Sequence, residues 1–278
     1  MRNVGVLLAV AACGSESGTG NTIDAATTGD ATAADASGQV DAALALCARS
    51  GLVFCEDFET LPLGPATSST WTTESASGQL AIDATHARGQ HALKVSTTGN
   101  GRARLQKMLA LPSNSAWGTM HAWVSAFPTA PDYAHYTLVE LAGTGNTSLV
   151  RPIGGQYAPA AGSNNPAGAF WGVGSDAGAT GDWTNWKRSA PSMGGRWLCL
   201  EFHLDATNDA IDIYLDGVAH PELSVTRTSH GGNQVDFVFP TFNKIWFGWW
   251  LYQTNPTPGT YDVWLDDLAL GSTRLGCD

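Results

Sequence analysis

Trp246, Trp250 and Tyr252 stand on one side of the run Lys244-Ile-Trp-Phe-Gly-Trp-Trp-Leu-Tyr252, with Gly248 between the two indoles. The run alternates with a period of two, so it reads as a β-strand. Ile245, Phe247, Trp249 and Leu251 then share one face, and the aromatic set shares the other. One apolar face is enough to hold a strand on a core. Two indoles and a phenol on the opposite face suit a flat, hydroxylated ring, which points to carbohydrate. Arg102 and Arg104 share a face of the segment Arg102–Met108. They would add positive charge to the same hollow, or else pair with Glu or Asp. The sequence has no Gly-x-Ser-x-Gly elbow, His-Glu-x-x-His pair or phosphate loop.

The elements that must position these residues are strands. Leu52–Phe58, Gln90–Ser96, Gly118–Val124, His135–Leu141, Trp197–Leu204, Ile211–Leu215 and Tyr261–Leu270 all carry strand patterns, several bounded by Gly or Asp turns. Residues 142–193 are rich in Gly, Ala, Asn and Pro and read as long loops around one or two strands. Many short strands with polar turns predict an all-β, two-sheet antiparallel sandwich or jelly roll.

Not all 278 residues belong to that body. Residues 1–12 have one positive charge, a short apolar run and small residues, as an export signal does. Val10-Ala-Ala-Cys13 fits a lipobox, with Cys13 as the lipidated residue, although Ala9-Val10-Ala11 also suits an ordinary signal peptidase. Residues 13–46 are mostly Gly, Ala, Ser and Thr with acids and no base, and predict a disordered tether. Residues 47–278 make one domain. The net charge of −11 argues against nucleic acid, whose phosphates need a basic surface. Cys47, Cys55, Cys199 and Cys277 remain after Cys13, and predict two disulfides whose pairing the spacing leaves open.

Five segments then carry a resemblance. Phe54-Cys-Glu-Asp-Phe-Glu59, Gly89-Gln-His-Ala-Leu-Lys-Val95, Cys199-Leu-Glu-Phe-His203, Phe247-Gly-Trp249 and Trp264–Cys277 occur in order. Together they resemble the core domain of the fungal cellulose-induced secreted protein and its bacterial relatives. The resemblance implies a concanavalin-like jelly roll related to glucuronan lyases. It implies a structural calcium ion held by the Glu59 and Asp266 carboxylates and the carbonyls of Arg88 and His91. The bland reading leaves Glu59 and Asp266 as solvated strand-end acids. The same comparison pairs Cys199 with Cys277 and leaves Cys47 with Cys55. Pairing of Cys47 with Cys277 and Cys55 with Cys199 stays open.

The related lyases cut uronic-acid polymers by β-elimination, which needs a neutralised carboxylate, a base at C5 and an acid at the leaving oxygen. The resemblance carries these roles to His135 as base, Tyr252 as proton donor, and Arg151 and Gln156 as carboxylate holders. Trp246, Trp250, Arg102 and Arg104 would bind substrate. The expectation is therefore a monomer, attached to a membrane through its lipid alone or secreted, that binds polysaccharide and resembles the lyases of uronic-acid polymers. The alternatives are a non-catalytic carbohydrate-binding module, and a surface adhesion or envelope component with no glycan role.

Overall fold

The structure is a computed structural model that describes residues 46–129, 133–145, 149–175, 180, 183–252 and 257–277. Cys13 and the expected signal and tether lie outside the described residues, except for Leu46. That residue is buried against Ala269 and Leu275, so the folded body includes it.

The strands are β1 (Leu52–Glu56), β2 (Gly64–Pro65), β3 (Thr72–Asp83), β4 (Ala92–Met108), β5 (Ala116–Val124), β6 (Ala134–Thr144) and β7 (Leu149–Ala158). After them come β8 (Gly168–Ser175), β9 (Trp183–Pro191), β10 (Trp197–Asp205), β11 (Ala210–Leu215), β12 (Val218–Ala219), β13 (Thr241–Tyr252) and β14 (Thr260–Gly271). All pairings are antiparallel. The all-β jelly-roll expectation holds. Residues 142–193 differ from expectation, because β7, β8 and β9 run through them. Their glycines remove the apolar alternation by which a strand is recognised.

One long strand makes two layers out of a continuous ladder. The first half of β4, through Thr98, pairs with β14, and its second half, from Arg102, pairs with β13. β3 follows β4 through the same bend, with Gly78 at the register shift. The front layer is therefore β4, β13, β6, β7, β8 and β9, and the back layer is β4, β14, β5, β10, β11 and β12. Between them lies one apolar cluster, in which Trp249 of the front stacks on Tyr261 of the back at 5.5 Å. Burying that cluster is the main driving force for folding. The disulfides are Cys47–Cys55 and Cys199–Cys277.

Candidate functional site

The outer face of the front layer carries the site, and strand register decides which side chains meet there. Arg102, Trp250, Thr137, Gly154, Gly172 and Trp186 are successive partners across β4, β13, β6, β7, β8 and β9. The neighbouring row reads Tyr252, His135, Gln156 and Phe170. Aromatic side chains thus flank a centre where two glycines offer only backbone.

Tyr252 and His135 stack with ring centroids 5.4 Å apart and planes 10° from parallel. Gln156 sits opposite His135 on the next strand and is buried. Arg151 places its guanidinium 5.2 Å from the Tyr252 ring and 5.3 Å from the Trp250 ring. All four expected catalytic residues therefore occupy one neighbourhood. Arg151 and Gln156 have opposite parity and would face opposite ways in a regular strand. A register shift puts one extra residue on β7 between Val150 and Ile153, and brings both to the same side.

The same device supplies a residue that the sequence reading missed. Counted from His135, alternation would turn Glu140 toward the core. The irregularity at Leu138–Val139 sends both apolar residues inward and returns Glu140 to the site. Glu140 bridges two arginines, accepting from Arg104 at 2.8 Å and from Arg151 at 3.0 Å. All three are buried. Glu74 on β3, also missed, pairs with Arg102 at 3.0 Å and with Arg104 at 3.1 Å. Burial alone would raise the Glu74 carboxyl, but Arg104 and Arg102 outweigh it and hold the group below its ordinary value.

Trp246 and Trp250 behave differently from each other, and the first departs from expectation. Trp246 is 7% exposed, and its indole N–H reaches Glu74 at 2.9 Å and Gln106 at 3.1 Å. Arg104 and Lys244 lie over its ring at 4.5 and 4.9 Å. Polar partners on the adjacent strands close over this indole, so it offers no open platform. Arg104, expected to bind substrate, is likewise held by two carboxylates. Trp250 is half-buried and ringed by the guanidinium groups of Arg104 and Arg151 at 5.3 Å and Arg102 at 5.8 Å. Among the described residues, three arginines and two glutamates meet here on a chain of net −11. The hollow beside His135, Arg151, Gly154, Gly172 and Tyr252 is only about 10 Å³, room for about one water centre.

The residues expected to hold calcium also meet, on the other layer. The Glu59 carboxylate rests on the 89–91 backbone, accepting from Gln90 N–H at 2.9 Å and His91 N–H at 3.4 Å. A side chain at Gly89 would place its Cβ 2.0 Å from Glu59 Oε1, so glycine leaves this cradle open. Asp266, fully buried, accepts from Arg88 N–H at 2.8 Å. Its burial, then the Asp267 and Glu59 charges, push its carboxyl up to about 8. Asp267 Oδ1 is buried without a hydrogen-bond partner. Two buried carboxylates and the half-buried Glu59, converging with an unsatisfied oxygen, are a donor set that suits a hard cation. Cys199, Glu201 and Cys277 also cluster, but both cysteines are in the disulfide and Glu201 is taken by Arg274, so they hold no metal.

This geometry defines a concanavalin-like jelly roll with an arginine-lined front face. No protein-family model and no curated protein matches the chain. Solved structures do. The cellulose-induced protein Cip1 is 20% identical, with a TM-score of 0.57, covering 81% of this chain and 100% of its own. A family 16 glycosyl hydrolase protein from Mycobacterium smegmatis is 14% identical, with a TM-score of 0.51, covering 79% and 99%. The binding domain of botulinum neurotoxin serotype C1 is 9% identical, with a TM-score of 0.50 over 81% of this chain; the match spans 49% of its length. These likenesses establish the fold.

Proposed function

We propose that the chain binds an acidic polysaccharide on its front face and cleaves it by β-elimination. The observation that carries this reading is the half-buried Trp250 with the Arg102 and Arg151 guanidinium groups against it, beside the His135–Tyr252 stack. Guanidinium groups beside an indole suit a uronate better than a neutral sugar. Arg151 and Gln156 hold the carboxylate and draw charge from C5. His135 takes the C5 proton, the C5–H electron pair forms the C4=C5 double bond, and the C4–O4 bond breaks. Tyr252 returns a proton to O4, so the step balances without a co-reactant. Base and acid stand side by side on one face of the sheet, which makes the elimination syn. The likeness to a glycosyl hydrolase fold supports a carbohydrate ligand.

One observation favours a second reading, a non-catalytic carbohydrate-binding module. The hollow beside His135 and Tyr252 is too small for a sugar ring unless side chains move. Incubation with glucuronan, alginate and pectate, followed by ultraviolet absorbance of the unsaturated uronide, separates the two. New absorbance supports the lyase. Binding to these polymers without it supports the module, and binding to none of them refutes both.

We further propose that calcium binds between Glu59, Asp266 and the 88–91 turn, with Asp267 beside it. When bound, the ion would neutralise the carboxylates there. Export through residues 1–12 and display on the envelope by a lipid on Cys13, with 13–46 as tether, rest on the sequence pattern. Radiolabelled palmitate that enters the wild type and not Cys13→Ser would support them.

A further inference from the structure

The outer side of the back layer carries a site of its own, independent of the front-face reading. The outward face of a sandwich strand is ordinarily polar. Here one cross-strand row reads Lys94, Trp264, Trp123 and Trp197 on β4, β14, β5 and β10. His86, from the β3–β4 connection, lies flat against Trp123 with centroids 4.4 Å apart and meets Trp264 edge-on at 4.5 Å. Trp197 stands edge-on to Trp123 at 6.2 Å. Trp264 is closed in, with its N–H on Asp83 at 2.9 Å, whereas His86, Trp123 and Trp197 remain half-exposed.

Two residues along the strands the row changes character. Gln79, Ser96 and Asp262 are successive partners on β3, β4 and β14. With Ser77, Thr98 and Thr260 they line a groove of about 520 Å³. That volume is within the ligand-pocket range of roughly 300–1,000 Å³. The groove offers hydroxyls, an amide and a carboxylate, the partners that sugar hydroxyls use. Asp262 accepts from the Ser96 hydroxyl and lies 4.0 Å from Lys94, which orients it across the groove. Asp83 and Asp262 against Lys94 leave one negative charge in excess among the described residues of this groove. A polyanion is repelled here.

We propose that this face is a second glycan-binding site, which takes a neutral polysaccharide. Gln79, Ser96 and Asp262 bind its hydroxyls, and the half-exposed edge of His86, Trp123 and Trp197 packs against its rings. The two faces of one sandwich then hold glycans of different charge.

Native gel electrophoresis of the full chain, through gels containing hydroxyethyl cellulose, xylan or glucomannan, tests this. We expect at least one polymer to retard the wild type. Trp197→Ala and Gln79→Ala, the latter at an exposed position and harmless to folding, should each weaken that retardation about tenfold. Neither should change retardation by glucuronan, so failure of the front-face reading and failure of this one are separable. No retardation by any of the three neutral polymers overturns the proposal, as does retardation that both variants keep. Self-association abolished by Trp197→Ala, with no glycan retardation, assigns the row to a second copy of this chain and also overturns it.

Discussion

His135 and Tyr252 are direct partners on β6 and β13, with rings parallel to within 10° and 5.4 Å apart. Their spacing is set by the hydrogen-bond ladder between two interior strands of the front layer. A pair mounted this way keeps its geometry when one polar atom is removed. Tyr252→Phe retains the stack and deletes only the hydroxyl. It should lower unsaturated-uronide formation by about 10²–10⁴-fold while leaving the melting temperature and polymer binding unchanged. Unchanged turnover in this variant would move the acid role to another group.

Glu140 bridges two buried guanidinium groups at once, those of Arg104 and Arg151. Removing one partner of a buried ionic network leaves uncompensated charge, which is worse than never having built the network. Glu140→Ala should therefore destabilise the fold by about 3–5 kcal/mol, read from urea unfolding midpoints. Replacing Glu140 and Arg104 together with Met should cost less than the sum of the single changes, because they share contacts. Strict additivity would show that the bridge contributes nothing.

Much of this architecture is legible in the residues. β1, β5, β6, β10, β13 and β14 declare themselves because large apolar side chains alternate along them. β3 does not, because Thr72–Asp83 lies beside the bend and buries only Ile82 fully. β7 and β8 hide because Gly154, Gly155 and Gly172 stand where an alternating pattern would show side chains. Within the site, His135, Arg151, Gln156 and Tyr252 were reachable through resemblance, but Glu140 was not. Its side depends on an irregularity at Leu138–Val139 that alternation cannot reveal. The face of Trp246 was legible and its burial was not. Closure over that indole needs the register of three strands, bringing Glu74, Arg104 and Gln106 together.

Glu74 gives the site a pH signature of definite sign. Arg104 and Arg102 hold its folded carboxyl below the ordinary value, so its stabilising contribution is complete above about pH 4.3, the unfolded value. The contribution is lost as pH falls through the lower folded value. The melting-temperature difference between wild type and Glu74→Gln should be constant from pH 7 to about 5 and shrink below about 4. A difference that grows on acidification would contradict the pairing with Arg102 and Arg104.

Calcium offers a test that needs no enzymatic readout. Asp266 has no exposed surface, and burial, Asp267 and Glu59 all disfavour its ionised form. A cation between these carboxylates removes that penalty, and because it binds the folded state alone it stabilises by mass action. At 100 times the dissociation constant the gain is about 2.7 kcal/mol, several degrees in melting temperature for a domain of this size. Millimolar calcium should raise the wild-type midpoint and a chelator should lower it, whereas Asp266→Asn and Glu59→Gln should lose the response. Gly89→Ala gives the sharper discrimination, because its Cβ would fall 2.0 Å from Glu59 Oε1 and push that carboxylate off the turn. It should abolish the calcium response without removing any donor atom. Calcium-dependent stabilisation that survives in Gly89→Ala would place the ion somewhere other than this cradle.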